Sequence, residues 1–315
     1  DRRYLALARR FSHRAILEPL LRREDTLDGL HANTQIPKVI GFARIGELDG
    51  DQEWIDAAAF FWERVALHRS IAFGGNSTRE HFNPADDFSG MVASREGPET
   101  CNSYNMLRLT LLLERLRPDP RHADFYERVL FNHILSTQHP GHGGLVYFTP
   151  IRPRHYRVYS QPQECFWCCV GSGMENHGRH GAFVYAHGEA TVRVNLYIDS
   201  RLQWRQRGVE LHQHTRFPEQ PRSTVALSLD APQVFALELR HPHWLAGPMQ
   251  VRVNGERWPV ESTPSSYARI ERQWQDGDRI EVELPMATRI EALPDGPDWV
   301  AVMHGPLMLA ARTGT

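Results

Sequence analysis

Three of the four cysteines lie in one short stretch, "ECFWCCVGSG" (residues 164–173), and two of them are adjacent. The fourth, Cys101, follows Glu99 by two residues in "GPETCNSYNML". Both could contact one ion if they lie at a junction between a loop and a helix, and Cys168 and Cys169 could do so if the backbone turns between them. Three thiolates and one carboxylate then complete a tetrahedral zinc shell. The pattern predicts a zinc site formed by Glu99, Cys101, Cys168 and Cys169.

Two other interpretations stay open on spacing alone. The cysteines are buried or partly oxidised without a metal, since the sequence has neither a pair of CxxC motifs nor HExxH. Alternatively, the zinc is purely structural, because four protein ligands normally close the site. We interpret Cys165, three residues before Cys168, as a bystander, with a replacement ligand and an inactivating disulfide partner as alternatives.

Composition narrows the partners of the chain. Its 315 residues carry 36 Lys and Arg against 38 Asp and Glu, a formal net charge of −2. This balance argues against a nucleic acid or an anionic membrane as partner. No segment has the roughly 20 apolar residues of a membrane span, and none resembles a signal peptide. A homodimer is compatible with the sequence, as are a cytoplasmic and a periplasmic or secreted location.

The period of the apolar residues changes near residue 181. Before it, apolar residues recur at helical spacing in "EWIDAAAFFWERVAL", "CNSYNMLRLTLLLERL" and "ADFYERVLFNHIL". Long polar loops such as "FGGNSTREHFNPADDFSG" separate these helices, and loops of that length are commonly functional. After residue 182 short alternating segments follow one another, with the hairpin signal Asn254-Gly255. The sequence predicts an α+β multidomain chain, with a helical domain at 1–181 and an antiparallel β-sandwich at 182–315.

Several motifs occur in order along almost the whole chain: "HANTQIPKVIG", "GGNSTREHF", "ETCNSYNML", "FWCCVGSGMENH" and "GPLMLA". The section "VRVNGE…ERQWQDGDRIEVELPM" lies between the last two. Together they resemble the motifs of glycoside hydrolase families 127 and 146, the β-L-arabinofuranosidases and their relatives. The resemblance implies an (α/α)6 barrel followed by β-sandwich domains, which agrees with the change of period.

The same resemblance implies roles for individual residues. It implies that Glu99, Cys101, Cys168 and Cys169 bind zinc and that Cys168 is the catalytic nucleophile. Glu80 of "TREHF" matches the general acid/base. His31 of "HANT" and Tyr147 of "GGLVYFTP" match positions that contact the sugar. From the residues alone, Glu80 is an ordinary loop glutamate and His31 a structural histidine.

Other residues near these motifs are weaker candidates. The rivals for the acid/base are Glu96 and Glu164. The further candidates for sugar contact are Gln35, His142, His177 and Trp167. We keep them as alternatives because the motifs alone do not place their side chains.

The resulting hypothesis is a retaining glycosidase that releases terminal β-L-arabinofuranose from plant-type glycans. A zinc-bound thiolate replaces the second carboxylate that such enzymes usually use. The alternatives are a related glycosidase with another sugar specificity and a non-catalytic, zinc-stabilised carbohydrate-binding protein. A thiol hydrolase using His177 or His180 is disfavoured, because it needs a cysteine that is free of metal.

The number of helices sets a further expectation. About five predicted helices cannot close a barrel of twelve. Members of the family also have a helical segment before the position that matches "LARRF". We therefore expect the barrel and its pocket to be incomplete in this chain.

Overall fold

The computed structural model describes residues 1–311, in which helices precede strands. The helices are α1 (Arg2–Phe11), α2 (Arg14–Leu21), α3 (Ala32–Asp49), α4 (Gln52–Ala66), α5 (Ser89–Ala93), α6 (Thr100–Leu116), α7 (Pro120–Asn132), α8 (Cys168–Asn176) and α9 (Gly181–Val184). A 3-10 turn follows α7 at Ile134–Thr137. Within the described residues, every helix is too short or too polar to cross a bilayer. The predicted change from helices to strands is confirmed.

Thirteen strands follow among the described residues. They are β1 (Tyr185–His187), β2 (Thr191–Val194), β3 (Ser200–Trp204), β4 (Val209–Thr215), β5 (Arg222–Leu229), β6 (Gln233–His241), β7 (Gln250–Val253), β8 (Glu256–Trp258), β9 (Ser266–Trp274), β10 (Arg279–Glu283), β11 (Thr288–Leu293), β12 (Gly296–His304) and β13 (Leu307–Met308). They form a four-stranded sheet β1-β2-β6-β9, a six-stranded sheet β3-β4-β5-β10-β7-β8 and a three-stranded sheet β11-β12-β13.

The chain divides into two compact units. The first contains Asp1–Gly178, Ile290–Val302 and the chain from Met308, and the second contains Arg179–Arg289 and Met303–Leu307. The break lies near the predicted boundary at residue 181, but Ile290–Val302 belongs with the helices rather than with the β domain predicted over 182–315. Arg128 on α7 donates to Glu291 through Nη1 (2.6 Å) and Nη2 (3.0 Å), and Leu293 packs against a buried apolar cluster of the helical unit.

Helix α6 is the centre of the helical unit. It packs against α3, α4, α7 and α8, and most of its residues are buried. Trp62 of α4 crosses to this helix, where its indole Nε1 donates to Thr110 Oγ1 at 2.8 Å. The same ring meets the edges of His122 and Phe125 on α7. This packing anchors the C-terminal half of α6; its other end carries two predicted metal ligands, the N-cap Glu99 and Cys101.

The β unit follows the period-two pattern on which it was predicted. In the six-stranded sheet, one face is buried; it is formed by Val209, Leu211, Val225, Leu227, Val251, Val253, Ile280 and Val282. Asn254 and Gly255 both have positive φ (53° and 83°), as the predicted hairpin requires. The four-stranded sheet differs from the antiparallel prediction at one pair, since β2 and β6 run parallel. That pair is parallel because the chain passes through β3–β5 of the other sheet between them.

Candidate metal and catalytic site

Three helices begin at the candidate site. His31 is the N-cap of α3, Glu99 is the N-cap of α6, and Cys168 is the first residue of α8. The first turn of a helix has unpaired N–H groups and a partial positive charge, which favours anionic side chains. The backbone turn that the adjacent Cys168 and Cys169 need in order to bind one ion is the first turn of α8.

The four predicted metal ligands come together. One ligand atom from each of Glu99, Cys101, Cys168 and Cys169 lies within 4.8 Å of the others. The Sγ atoms of Cys101 and Cys169 are 3.2 Å apart, and those of Cys168 and Cys169 are 3.9 Å apart. Glu99 Oε1 is 3.7 Å from the Sγ atoms of both Cys168 and Cys169. Cys101 and Cys169 thus meet across 68 residues of sequence.

The members of this cluster differ in their access to solvent. Glu99, Cys101 and Cys169 are 1%, 3% and 0% exposed, whereas Cys168 is exposed. Its sulfur is therefore the one in the cluster that an external molecule can reach. The remaining three ligands lie behind it, in the core of the helical unit.

Hydrogen bonds that sequence analysis missed orient these ligands. Asn33 Nδ2 donates to Glu99 Oε1 at 3.4 Å, and Asn105 Nδ2 donates to Asn33 Oδ1 at 2.8 Å. Ser172 Oγ lies 3.1 Å from Cys101 Sγ. Asn33 and Asn105 belong to "HANT" and "CNSYN", so their place within motifs was the available signal.

The electrostatics of the cluster are those of crowded acidic groups. Burial raises the pKa of Glu99 to about 8, and the nearby Cys101 adds to this. A hydrogen bond from Cys169 lowers the pKa of Cys101 to about 6, and that same contact raises the pKa of Cys169. Burial raises the pKa of Cys168 to about 11, and the nearby Cys101 adds to this.

The cluster fits a metal ion. Glu99 Oε2 is buried and has no hydrogen-bond partner among the described residues, and such an atom normally has one. A cation bound to this oxygen and to the three sulfurs would satisfy it and would neutralise part of the negative charge of the ionised ligands. This buried Glu/Cys cluster could therefore hold a metal.

Glu80 lies in a loop with unusual backbone conformation. Ser77, Arg79 and Glu80 all have positive φ (77°, 50° and 67°), which is costly for residues other than glycine. Hydrogen bonds hold this conformation: Ala32 N donates to Glu80 O at 2.7 Å, and Arg79 N donates to Glu96 O at 3.0 Å. Glu80 is therefore fixed to the first residue of α3.

The side chain of Glu80 meets the two predicted sugar-binding residues. The Tyr147 hydroxyl donates a hydrogen bond to Glu80 Oε1, and His31 Nε2 lies 3.6 Å from Glu80 Oε2. Burial raises the pKa of Tyr147, and so does its hydrogen bond with Glu80. Tyr147 thus contacts Glu80 through its hydroxyl and the cysteine cluster through its main-chain oxygen, which lies 3.9 Å from Cys169 Sγ.

The weaker candidates lie elsewhere or serve other contacts. Glu164, His142 and Glu96 are exposed. The Glu96 Oε2 atom lies 4.0 Å from Arg79 Nε. Gln35 donates to His31 O at 3.3 Å, so it supports the helix start. Trp167, the N-cap of α8, meets the ring of Tyr147 edge-on at 6.1 Å. Cys165 is a free thiol outside the cluster, and its Sγ accepts from Gln161 N.

Comparison with known proteins identifies the family. The model of the β-L-arabinofuranosidase GH127 catalytic domain matches residues 1–182, and the model of the GH127 middle domain matches residues 191–286. The chain belongs to the GH127 family. Its predicted resemblance to that family is confirmed.

Individual proteins are similar to this chain in sequence or in fold. The non-reducing end β-L-arabinofuranosidase of Bifidobacterium longum subsp. longum is 26% identical over 322 residues, covering 94% of this chain and 47% of that protein. A solved GH127 β-L-arabinofuranosidase from Geobacillus stearothermophilus T6 has a TM-score of 0.78 at 24% identity, covering 91% of this chain and 48% of that one. A glycoside hydrolase structure has a TM-score of 0.83 at 20% identity, covering 98% and 57%. The chain spans about half the length of the curated relative, and the solved structures share its fold.

Proposed function

We propose that the chain carries a retaining glycosidase site that releases terminal β-L-arabinofuranose from plant-type glycans. The observation that carries this proposal is that Cys168 is the exposed member of the Glu/Cys cluster and that Tyr147 joins the cluster to Glu80: its main-chain oxygen lies 3.9 Å from Cys169 Sγ and its hydroxyl donates to Glu80. A retaining glycosidase needs a nucleophile and an acid/base on either side of the scissile bond. Cys168 and Glu80 supply that pair.

Zinc is the metal that we propose for the cluster. Three sulfurs and one carboxylate oxygen form a ligand set that binds zinc. Magnesium and calcium instead prefer sites made of oxygen ligands. Glu99, Cys101, Cys168 and Cys169 would hold it. When bound, zinc would keep the thiols deprotonated, which matters because burial raises the pKa of Cys168 to about 11.

The proposed reaction has two displacements. First, Cys168 Sγ attacks the anomeric carbon, the bond to the leaving oxygen breaks, and Glu80 gives that oxygen its proton. Second, Glu80 takes a proton from water, the water oxygen attacks the anomeric carbon, and the Cys168 thiolate leaves. Two inversions give net retention of configuration.

His31 and Tyr147 are the residues that we propose to bind the sugar. Both side chains border Glu80. A furanose bound with its anomeric carbon beside Glu80 would therefore contact them. The Tyr147 hydroxyl and the imidazole of His31 offer hydrogen bonds to sugar hydroxyls.

The finer architecture is also a proposal. The helices up to residue 181 would form part of an (α/α)6 barrel, and the strands from residue 182 would form a β-sandwich domain. The order of motifs along the chain supports the barrel. A ring contact between Trp204 on β3 and Phe235 on β6, at 5.8 Å, supports the sandwich, because these strands belong to different sheets.

Activity and stereochemistry test the proposal. The chain is assayed on an aryl β-L-arabinofuranoside, with the anomer of the released sugar followed by NMR. Cys168→Ser should abolish turnover, because the alcohol is a far weaker nucleophile than the thiolate. Glu80→Gln should lower kcat by about 10²–10⁴-fold on substrates with poor leaving groups, and azide should restore turnover of activated ones.

Cys165→Ser is the matched control, since this cysteine lies in the same segment but outside the cluster. It should keep full activity. An inverted product, or an active Cys168→Ser variant, would exclude the thiolate mechanism. Faster hydrolysis of another furanoside or of a pyranoside than of the β-L-arabinofuranoside would indicate a related glycosidase with a different sugar specificity. Sugar binding without turnover in the unaltered chain, kept in Cys168→Ser, would indicate a carbohydrate-binding protein.

A further inference from the structure

We propose that the β unit carries a second, exposed binding site for a transition-metal dication such as Zn²⁺, formed by Asp199, His212 and His214. One ligand atom from each of these residues lies within 4.8 Å of the others. The three side chains are exposed or half-buried. Two imidazoles and one carboxylate form a donor set that binds zinc, nickel or copper.

The strand geometry brings the three side chains together. His212 and His214 lie two residues apart on β4, so they project from the same face of the sheet. Between them, Gln213 points into the buried face. Ser200, the first residue of β3, pairs with Gln213, so the preceding residue, Asp199, lies opposite His214. The distance from Asp199 Oδ2 to His214 Nδ1 is 3.8 Å.

Local contacts hold the three side chains beside one another. The ring centroids of His212 and His214 are 3.5 Å apart, so the two imidazoles are in direct contact. Thr215 N donates to Asp199 Oδ2 at 3.2 Å and orients the carboxylate, as a second layer of hydrogen bonds does in metal sites. Both histidines sit on a paired strand, which is more rigid than a loop.

The nearby charges permit a cation. Arg201 pairs with His212 in the strand register. Its guanidinium is directed to Glu210, with Nη1 3.8 Å from Oε1. Asp199 then provides the negative charge beside the two imidazoles. An ion at this place would link β3, an edge strand of the six-stranded sheet, to β4.

Metal titration tests this site independently of the cysteine cluster. The chain is first saturated with zinc at its cysteines and then titrated with further Zn²⁺ by calorimetry. We expect one additional equivalent. His212→Gln and His214→Gln should each weaken this step at least about tenfold, and Asp199→Asn should weaken it while keeping the contact with Thr215 N. His187→Gln, a histidine on β1, is the matched control and should leave it unchanged.

Two outcomes would overturn the proposal: no additional equivalent, or unchanged binding in the His212→Gln/His214→Gln double variant. Cobalt gives a second signature. Co²⁺ added to the zinc-loaded chain should produce visible d–d bands without sulfur-to-cobalt charge transfer, whereas charge transfer as the only change would place the ion on cysteines. A Cys101→Ser chain should retain the histidine site, so failure of the cysteine cluster and failure of this site are distinguishable.

Discussion

Tyr147 connects the two residues to which we assign the chemistry. Its hydroxyl donates to Glu80, and its main-chain oxygen accepts from Thr100 N at 2.9 Å, next to the ligand Glu99. Burial and the Glu80 contact raise its pKa, so the phenol stays protonated and remains a donor at neutral pH. One side chain therefore holds the acid/base at a fixed place relative to the metal cluster.

Replacing this tyrosine tests that role. Tyr147→Phe keeps the ring and removes the hydrogen bond to a carboxylate, which is worth about 1.5–3 kcal/mol. If that energy positions Glu80 in the transition state, kcat should fall roughly 10- to 100-fold, as measured by steady-state kinetics. Tyr159→Phe, which removes a tyrosine hydroxyl from the same unit, is the control. An equal kcat in both variants would contradict the role of Tyr147 in positioning Glu80.

The sequence could indicate which residues form the cluster, but not how they differ. Cysteine spacing and the motifs identified Glu99, Cys101, Cys168 and Cys169. Only the folded chain shows that Cys168 alone among them faces solvent. The bond from Asn33 to Glu99 spans 66 residues, and no local pattern predicts such a pairing.

At the scale of elements, two short segments hold His31 and Glu80 together. Segments 29–32 and 80–82 pair side by side, through hydrogen bonds from Gly29 N to Phe82 O and from Phe82 N to Leu30 O, both 2.9 Å. The buried Arg69 side chain supports the second segment, because it donates hydrogen bonds to Asn83 O and to Asp25. The ion pair and the main-chain pairing together fix the start of α3 against the Glu80 loop.

Asp25→Asn tests this support. Burial acts to raise the pKa of Asp25, but hydrogen bonds from Arg69 and Arg64 outweigh it and hold the pKa below its usual 3.8. The ionised carboxylate therefore stabilises the fold above about pH 4, and this contribution is lost as the pH falls through the depressed pKa. The free energy of unfolding should fall by about 1.5–3 kcal/mol at neutral pH, measured by urea denaturation, and the deficit should shrink on acidification.

Asp28→Asn provides the comparison. Asp28 also contacts Arg69, at 2.5 Å, but 58% of its side chain is exposed. Its loss should cost less than about 1 kcal/mol. A deficit for Asp25→Asn that does not change between pH 7 and pH 3 would contradict the assigned role of its charge.

Helix α8 shows where local sequence signals fail. Gly171 and Gly173 follow the cysteine pair, and both lie within the helix although glycine is a poor helix former. Gly173 is required by packing, because a Cβ there would meet Leu145 Cδ1 at 2.7 Å. The glycine thus permits close approach of a neighbouring segment rather than a turn, which a sequence without its partner cannot reveal.

At the scale of the whole molecule, the cysteine cluster joins distant parts of the helical unit. Its ligands come from the start of α6 and the start of α8, and Asn33 on α3 contacts them. A metal bound there favours the folded state over the unfolded one. The second unit contains none of these residues.

Metal removal should therefore destabilise the protein. At free zinc 100-fold above the dissociation constant, binding adds about 2.7 kcal/mol to the free energy of unfolding. A strong chelator should lower the Tm accordingly in thermal scans, and also in the His212→Gln/His214→Gln variant. Cys101→Ser should start from the lower Tm and respond little. An unchanged Tm after verified zinc loss would contradict a stabilising metal cluster.

Cys101 and Cys169 are separated by 68 positions in the sequence, so they are synthesised at different times. A ribosome that adds about 5–20 residues per second needs roughly 3–14 s to synthesise the chain from Cys101 to the adjacent pair Cys168 and Cys169. Throughout that interval the Cys101 sulfur lacks the neighbours that enclose it in the finished protein. Each nascent chain therefore carries an unprotected thiol for seconds, open to oxidants and to competing metals in the cell.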